Sequence, residues 1–329
     1  MHVVVTGAAG FIGSHTCEAL VARGHRVTGI DSFDSYLYPA AIKRATAKHL
    51  LATLGEPFEL VEADIADADA MAMVCGAGDV DVVCHLAALA GVRPSLEQPL
   101  RYIRTNLEGT TAILEAMRHA GHKRLVFASS SSVYGSKGEG VDLKSVEPFR
   151  EDDPCLRPAS PYAATKRAGE LLCSNYRDLF GIGVASLRFF TVYGPRQRPD
   201  MAIHKFVKAI SAGQPITLFG DGSSRRDYTY IDDIVAGTVA AIERVEPGKY
   251  TVYNLGGTST ISLAELVQTI EDVLGKKAEI DRQPMQPGDV PITYADIENS
   301  ARDLDYSPST GVRDGIEKFW TWYQDQPSS

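Results

Sequence analysis

Residues Val3–Gly13 read V-V-V-T-G-A-A-G-F-I-G, an apolar run that leads into glycines at positions 7, 10 and 13. The β-branched run predicts a buried strand, and the residues after it predict the start of a helix. Glycine suits a turn with positive φ, a close approach of backbone to a pyrophosphate, and tight helix–strand packing. The free amides and positive dipole of a helix N-terminus favour phosphate. The stretch therefore predicts a dinucleotide-binding turn.

Two acidic residues follow the next two predicted strands. Asp31, in G-I-D-S, stands where a carboxylate accepts hydrogen bonds from the adenosine ribose and repels the 2′-phosphate of NADP, so we predict NAD as the cofactor. A solvated loop acid is the alternative interpretation of Asp31. Asp64, in E-A-D-I, stands where it would read the adenine edge, and a helix N-cap is the alternative there.

Apolar runs alternate with amphipathic stretches through the first two thirds of the chain, a pattern typical of βαβ units around a buried parallel sheet. The runs that predict strands are His2–Thr6, Arg26–Ile30, Phe58–Val61, Val80–Leu86, Arg124–Ser129 and Val184–Phe190. The stretches that predict helices are Gly13–Arg23, Leu100–Ala120 and Pro161–Phe180. We therefore predict an α/β fold with a doubly wound parallel sheet of the Rossmann type.

After Phe190 the pattern loosens into turn-rich loops, and a strand pattern returns at Tyr250–Leu255. Helix patterns follow at Leu263–Leu274 and Val312–Gln324, and an earlier one lies near Ala202–Ala212. Because the chain leaves the sheet, returns and leaves again, we predict a smaller, discontinuous α/β domain for the substrate. The predicted division is 1–187 with 228–255 for the cofactor domain, and 188–227 with 256–329 for the substrate domain.

Composition narrows the class of protein. The 329 residues carry a formal net charge of −9, which argues against a broad nucleic-acid or anionic-membrane surface. The five cysteines are odd in number and contain no C-x-x-C pair, so we expect reduced, buried thiols, no disulfide framework and no metal site. The chain shows no leader pattern and no long apolar run, and we expect a soluble, cytoplasmic protein.

Tyr162 and Lys166, in S-P-Y-A-A-T-K, are four residues apart on a predicted helix, so their side chains project from one face. Tyrosine has a reference pKa of about 10, and a nearby ammonium together with a positive nicotinamide favours the phenolate, which makes it a base near neutral pH. The preceding predicted strand ends in the serine run 129–132, at the sheet edge where such folds bind ligands. The ordinary alternative for Tyr162 and Lys166 is a pair on the protein surface, and for the serine run it is a plain loop. We favour a catalytic site because both motifs follow a predicted dinucleotide-binding turn.

These motifs resemble the extended short-chain dehydrogenase/reductases, and most closely the UDP-glucuronate 4-epimerases. The resemblance covers nearly the whole chain and rests on T-G-A-A-G-F-I-G, Asp31, H-L-A-A at His85–Ala88, Asn106, A-S-S-S-S-V-Y-G, Y-A-A-T-K, Leu187–Met201, Arg225–Asp233 and Met285–Val290. It implies a UDP-sugar as substrate, NAD as cofactor and a homodimer that pairs the helices near Leu100–Ala120 and Pro161–Phe180. It implies cofactor contacts from Gly7, Gly10, Phe11, Ile12, Gly13, Asp31, Asp64, Ile65, Leu86, Ala87, Ala88, Tyr162 and Lys166.

The same resemblance implies roles at the reacting sugar. Tyr162 is expected to act as the base on the 4-hydroxyl. Lys166 is expected to contact the nicotinamide ribose and to lower the tyrosine pKa. Ser130 is expected to form a hydrogen bond with the reacting oxygen. Arg226 is the expected partner of the pyrophosphate. The residues expected around the sugar and its carboxylate are Arg93, Ser131, Ser132, Thr191 and Arg198.

The arginines also have an ordinary explanation. The planar guanidinium group binds phosphate and carboxylate well, but arginines are also common on surfaces. We expect a surface charge at one or both of Arg196 and Arg198, and at one or both of Arg225 and Arg226. The chain also departs from galactose-type epimerases, which usually carry a phosphate-binding arginine at the position of Gln286.

Other functions differ at identifiable positions. Related dehydratases carry an Asp-Glu pair where this chain has Ser131 and Ser132, and UDP-glucuronate decarboxylases carry Glu at the Ser132 position, so both are disfavoured. A non-enzymatic NAD-binding regulator would lose Tyr162 or Lys166, which are both present. The nearest alternative is a 4-epimerase of a neutral UDP-hexose or UDP-N-acetylhexosamine, which would use the same pair.

Overall fold

The computed structural model describes residues 1–137, 142–285 and 288–326. The strands, in chain order, are β1 (His2–Thr6), β2 (Arg26–Asp31), β3 (Phe58–Glu62), β4 (Val82–His85), β5 (Arg124–Ser130), β6 (Gly183–Phe189), β7 (Thr191–Tyr193), β8 (Ile216–Phe219), β9 (Arg225–Arg226), β10 (Tyr228–Tyr230), β11 (Tyr250–Leu255), β12 (Ile261–Ser262) and β13 (Ile280–Gln283).

The α-helices are α1 (Phe11–Ala22), α2 (Ala40–Leu54), α3 (Ala68–Val74), α4 (Val92–Glu97), α5 (Pro99–Ile103), α6 (Gly109–Ala120), α7 (Pro161–Phe180), α8 (Ala202–Ser211), α9 (Ile231–Arg244), α10 (Leu263–Leu274), α11 (Glu298–Leu304) and α12 (Val312–Gln324). Short 3₁₀ turns cover Ser131–Tyr134 and Leu143–Ser145.

Seven parallel strands form the central sheet in the order β3-β2-β1-β4-β5-β6-β11. The direction of winding reverses between β1 and β4, so the predicted doubly wound Rossmann sheet is confirmed. Every residue of β1 and β6 is buried, as expected for inner strands of a parallel sheet, and β6 buries the polar Ser186 and Arg188 among its apolar residues. The strand predicted at Val80–Leu86 is shorter, since the Val80 amide closes a turn onto the Ala77 carbonyl.

Helices α2, α3, α4, α9 and α11 were not predicted. Helix α2 buries only Ala47 and Leu50, so its apolar stripe is too narrow to stand out in the sequence. Helix α3 has seven residues, too few for a clear period. Helix α9 packs on α1 and brings the chain back to the sheet, where β11 pairs with β6.

The helix predicted over Leu100–Ala120 is interrupted by a π-helical segment at Arg104–Glu108. Within it, the Asn106 amide side chain donates to the Leu89 carbonyl and accepts from the Leu89 amide, at 3.0 and 2.9 Å. It also donates to the Thr165 hydroxyl at 3.0 Å. The π turn directs Asn106 inward and joins the loop after β4 to α7.

Small sheets lie outside the main one: β7 pairs with β10, β9 with β12, and β8 with β13. Helix α10 packs between α8 and α12 beside them. The division into two discontinuous domains stays a prediction. All five cysteines are buried and free, as expected. In the parts of the chain described above, no helix has the length and apolar character needed to cross a bilayer.

Candidate active site

A cavity of about 580 Å³ opens at the carboxyl ends of the central strands. It is lined by all the sequence-predicted cofactor residues, namely Gly7, Gly10, Phe11, Ile12, Gly13, Asp31, Asp64, Ile65, Leu86, Ala87, Ala88, Tyr162 and Lys166. It is also lined by Ser130, Ser131, Ser132, Thr191, Arg198 and Arg226. Arg93 lies instead on a neighbouring cavity. The fold thus brings both predicted residue sets to one place.

The glycine turn has the geometry that a dinucleotide needs. Gly7 has φ +72°, and a Cβ there would lie 3.0 Å from the Ala87 backbone. A Cβ on Gly13 would lie 2.1 Å from the Gly7 carbonyl oxygen. The turn is therefore compact only with glycine, and α1 begins immediately after it with its amides toward the cavity wall. These residues fit a bound dinucleotide.

Asp31 closes β2 directly beside this turn. Its carboxylate accepts hydrogen bonds from the amides of Ala9 at 3.1 Å and Phe33 at 2.9 Å, and the residue is 7% exposed. Burial raises the pKa of Asp31, while the Lys43 ammonium and the two amides act against that rise. A solvated loop acid does not describe this environment.

Asp64 lines the cavity farther along the sheet edge. Its carboxylate accepts from Arg104 at 2.9 Å and from the Ala66 amide at 3.0 Å. The N-cap of α3 is Asp67, whose side chain accepts from the amides of the first turn. The alternative interpretation of Asp64 as a helix N-cap is therefore wrong.

Tyr162 and Lys166 project from the first turns of α7. The helix is capped by the Ser160 hydroxyl, which accepts from the Ala163 amide at 3.1 Å, with Pro161 at its first position. Lys166 is 4% exposed and donates to the Ala128 carbonyl at 2.7 Å. Burial lowers the pKa of Lys166 to about 8. The ammonium is held against the strand that carries the serines.

The phenol of Tyr162 lies between groups that act on it in opposite directions. Burial raises the pKa of Tyr162, whereas a hydrogen bond with Ser130 and the positive charge of Arg198 lower it. The Tyr102 ring meets the Tyr162 ring edge to face, with centroids 6.3 Å apart. Arg198 is thus a second cation near the phenol, and its proximity could not be read from the sequence.

The serine run divides into two roles. The amide and the hydroxyl of Ser132 donate to the Ser130 hydroxyl at 3.2 and 2.9 Å, so both hydroxyls face the cavity with Ser131. Ser129 donates to the buried carboxylate of Glu170 at 2.6 Å, which is paired with Arg188 at 2.8 Å. Ser129 therefore belongs to a buried ion-pair network behind the site.

The three predicted substrate arginines have different partners. Arg198 donates to both carboxylate oxygens of Asp200, at 3.0 and 2.9 Å, and Arg93 pairs with Asp289 at 2.6 Å. Arg226 donates only to the backbone carbonyls of Arg225 and Pro291, at 2.8 and 3.4 Å. Burial lowers the pKa of Arg226. Among the described residues no carboxylate forms an ion pair with Arg226, so it is a partly buried cation open to an anion.

The remaining arginines of the two pairs have structural partners. Arg196 forms a two-point ion pair with Glu18 on α1. Arg225 donates to Thr260 at 2.9 Å and pairs with Glu265 at 3.2 Å. One arginine of each pair was expected to be a surface charge, but Arg196 and Arg225 are only 18% and 16% exposed and are held by these contacts.

A second cavity, of about 550 Å³, adjoins the first and shares Thr191, Met201, Arg226 and Asp289 with it. It is also lined by Phe206, Ile216, Thr217 and Phe219, which the sequence analysis did not select. The only signal for them was the alternation I-T-L-F before Gly220. Gln286 and part of the Met285–Val290 motif lie outside the described residues.

Together, a Rossmann sheet, a glycine turn and a buried tyrosine–lysine pair define a dinucleotide-dependent enzyme of the dehydrogenase/reductase type. The second cavity provides room for a substrate larger than a simple sugar.

Comparison with known proteins agrees. Residues 3–256 match the NAD dependent epimerase/dehydratase family. Protein CapI of Staphylococcus aureus is 40% identical over 98% of this chain and 98% of its own. The UDP-glucuronate 4-epimerase of Thermodesulfobacterium geofontis is 38% identical over 98% of this chain and 95% of its own. The crystal structure of UDP-glucuronic acid 4-epimerase from Bacillus cereus with UDP-glucuronic acid and NAD is similar with a TM-score of 0.90, at 39% identity over 98% and 99% of the two chains.

The chain therefore belongs to the NAD dependent epimerase/dehydratase family. It is an NAD-dependent enzyme of the nucleotide-sugar epimerase type, which confirms the resemblance found in its sequence.

Proposed function

We propose that this protein converts UDP-glucuronic acid to UDP-galacturonic acid by NAD-dependent epimerisation at carbon 4 of the sugar. The observation that carries the proposal is the set of groups around the Tyr162 phenol. Arg198 and the hydroxyls of Ser131, Ser132 and Thr191 line the same cavity, and serines stand where dehydratases and decarboxylases carry acids. The two UDP-glucuronate 4-epimerases described above, which align with this chain over nearly their whole length, support this proposal.

The cofactor half of the cavity suits NAD. Bound there, NAD would accept a hydride from carbon 4 and return it to the same carbon. Gly7 and Gly13 allow close approach of the pyrophosphate, and Asp31 would accept hydrogen bonds from the adenosine ribose.

Tyr162 would move the proton of the 4-hydroxyl. The Ser130 hydroxyl and the Arg198 charge would both favour the ionised form of the phenol. Lys166, fixed by the Ala128 carbonyl, would contact the nicotinamide ribose. Once the 4-hydroxyl is bound, the single O–H of Ser130 would donate to the reacting oxygen instead of the phenol.

The substrate would extend from the first cavity into the second. Arg226 lies on the boundary of the two cavities and has donors available for the diphosphate. Phe219 and Ile216 would face the nucleoside in the second cavity. In this arrangement the sugar would lie at Tyr162 in the first cavity and the base in the second.

The orientation of the sugar carboxylate must be fixed during the reaction. Oxidation at carbon 4 of a hexuronic acid gives a β-keto acid, which loses carbon dioxide when the carboxylate bond stands perpendicular to the new carbonyl. Hydroxyls at Ser131, Ser132 and Thr191 would hold the carboxylate away from that alignment. Unlike a Glu or an Asp, they have no acidic proton to exchange with carbon 5.

The product in heavy water tests this proposal. UDP-glucuronic acid incubated with the NAD-loaded enzyme is expected to give UDP-galacturonic acid with negligible UDP-pentose, and without deuterium at carbon 4 or carbon 5, as measured by NMR. UDP-pentose as the main product would make the enzyme a decarboxylase. Deuterium at carbon 5 would indicate the proton chemistry of a dehydratase.

One observation favours a second candidate, the 4-epimerase of a neutral UDP-hexose. Two donors of Arg198 are already bonded to Asp200, so part of the guanidinium is occupied before any substrate carboxylate arrives. The two candidates differ in whether the three remaining N–H donors of Arg198 bind a sugar carboxylate.

Replacing Arg198 with Gln separates them. We expect a loss of about 2 kcal/mol or more in binding of UDP-glucuronic acid and a much smaller loss for UDP-glucose, since only the former presents a carboxylate. Dissociation constants from calorimetry measure this. Arg196→Gln is the matched control, because Arg196 lies in the same loop and pairs with Glu18. Equal losses for both sugars in Arg198→Gln would support the neutral-hexose candidate.

We also propose a homodimer. Leu100 and Leu171 are 79% and 56% exposed on α5 and α7, the helical region that the family resemblance assigns to the dimer contact. Covering these leucines with a second copy would remove apolar surface from water.

A further inference from the structure

Two arginines on one helical face form ion pairs with acidic residues that follow strands of the sheet, at the edge of the cofactor cavity. Arg101 on α5 pairs with Asp34, in the loop after β2. Arg104, one turn later in the π segment, pairs with Asp64 after β3 at 2.9 Å. All four residues line the large cavity. The two ion pairs therefore join separate parts of the wall of that cavity.

Tyr36 adds a third connection between the same regions. Its hydroxyl donates to the Pro94 carbonyl of α4 at 3.0 Å. The Arg101 guanidinium lies 4.6 Å from the centroid of its ring. We call Asp34, Tyr36, Asp64, Arg101 and Arg104 the cavity bridge.

The four charged residues of the cavity bridge line the part of the cavity that fits the adenosine of the cofactor, and Tyr36 lies behind them. Asp31 and Ile65 line the cavity beside Asp34 and Asp64, respectively, and Thr105 lines it next to Arg104. A dinucleotide seated on the glycine turn would reach these residues with its adenosine half.

We propose that the cavity bridge retains NAD, so that Tyr36, Arg101 and Arg104 slow its dissociation without taking part in the chemistry. An enzyme that removes and returns a hydride leaves its cofactor unchanged after each turnover, and therefore does not need to exchange it. The inference depends on the NAD dependence of the family and not on which sugar is epimerised.

The contacts predict how retention depends on salt. Both arginines are partly exposed, at 40% and 57% of their side chains, and a single pair of this kind is expected to change the release rate by about five-fold or less. The ion pairs and the tyrosine hydrogen bond must open together for release, so their effects combine. Because exposed charges are screened by ions, NAD release from the wild-type enzyme should accelerate as ionic strength rises.

The test is the dissociation rate of NAD in the absence of any sugar. The NAD-loaded enzyme is diluted into an excess of labelled NAD, and retained cofactor is separated by rapid gel filtration. The double variant Arg101→Gln/Arg104→Gln is expected to release NAD at least about ten times faster, equivalent to about 1.4 kcal/mol. It should also lose the salt dependence of the wild type. Tyr36→Phe, which keeps the ring, should give a smaller acceleration of about three-fold.

Arg44→Gln is the matched control. Arg44 pairs with Glu62 at the end of β3 and stacks on Phe33, but it does not line the cavity. Its release rate should equal that of the wild type. Rates within two-fold of wild type in both the double variant and Tyr36→Phe would overturn the proposal, as would an equal acceleration in Arg44→Gln. Because no sugar is present, these outcomes are independent of the proposed epimerisation.

Discussion

Replacing Tyr162 with Phe is expected to lower kcat by about 10²–10⁴-fold while the dissociation constant for NAD changes by less than about three-fold. The substitution removes the proton acceptor and keeps the ring that contacts Tyr102. Initial rates of UDP-galacturonic acid formation and NAD titration of cofactor-stripped enzyme measure the two quantities.

Tyr176→Phe is the matched control for this substitution. Tyr176 lies on the same helix, and its hydroxyl donates to Glu115 at 2.5 Å. It lies outside the residues that line the cavity, and kcat should stay within about two-fold of wild type. If Tyr162→Phe kept more than a tenth of the wild-type kcat, another group would have to be the base.

Arg226→Ala is expected to weaken every UDP-sugar by a similar factor, with a cost of about 2–5 kcal/mol in binding free energy. Among the described residues, the partly buried Arg226 guanidinium donates only to backbone carbonyls, and the charge of Asp289 acts on it without a direct ion pair, so an anion at the boundary of the two cavities would supply a contacting counter-charge. Calorimetric dissociation constants for UDP-glucuronic acid, UDP-glucose and UDP measure the effect.

The neighbouring arginine provides the control. Arg225→Ala removes contacts with Thr260 and Glu265 outside both cavities, and should leave the three affinities nearly unchanged. A loss in Arg226→Ala confined to UDP-glucuronic acid would assign the residue to the sugar carboxylate. An equal loss in Arg225→Ala would mean that both act by holding β9 in place.

Several features could be predicted because they depend on neighbours in the chain. The glycine spacing after β1, the strand that precedes it and the helix that follows are all local, and the sheet confirms them. The pair Tyr162 and Lys166 shares a face for the same reason, since helical geometry alone puts residues four apart on one side. Strands such as β1 were evident because burial on both faces leaves an apolar run, here Val3–Val5.

Other features could not be predicted because they depend on contacts between distant segments. The π segment lies where Asn106 contacts Leu89, and no local sequence pattern predicts that contact. The carboxylate that holds Arg93 comes from Asp289, far along the chain. Ser129 and Ser130 point to opposite sides of β5, as strand geometry requires, but only the packing of α7 shows that Ser129 meets Glu170 and that Ser130 faces the cavity.

The class of fold, the dinucleotide turn and the shared helix face of Tyr162 and Lys166 could be derived from the sequence, because they follow from periods of two and 3.6 residues and from the steric freedom of glycine. The partners of the charged groups in the site became known only from the folded chain. Asp200 pairs with Arg198 and Asp289 with Arg93, whereas among the described residues Arg226 donates only to backbone carbonyls. Electrostatic interactions depend on distance and burial, and both are set by how remote elements pack around the cavity.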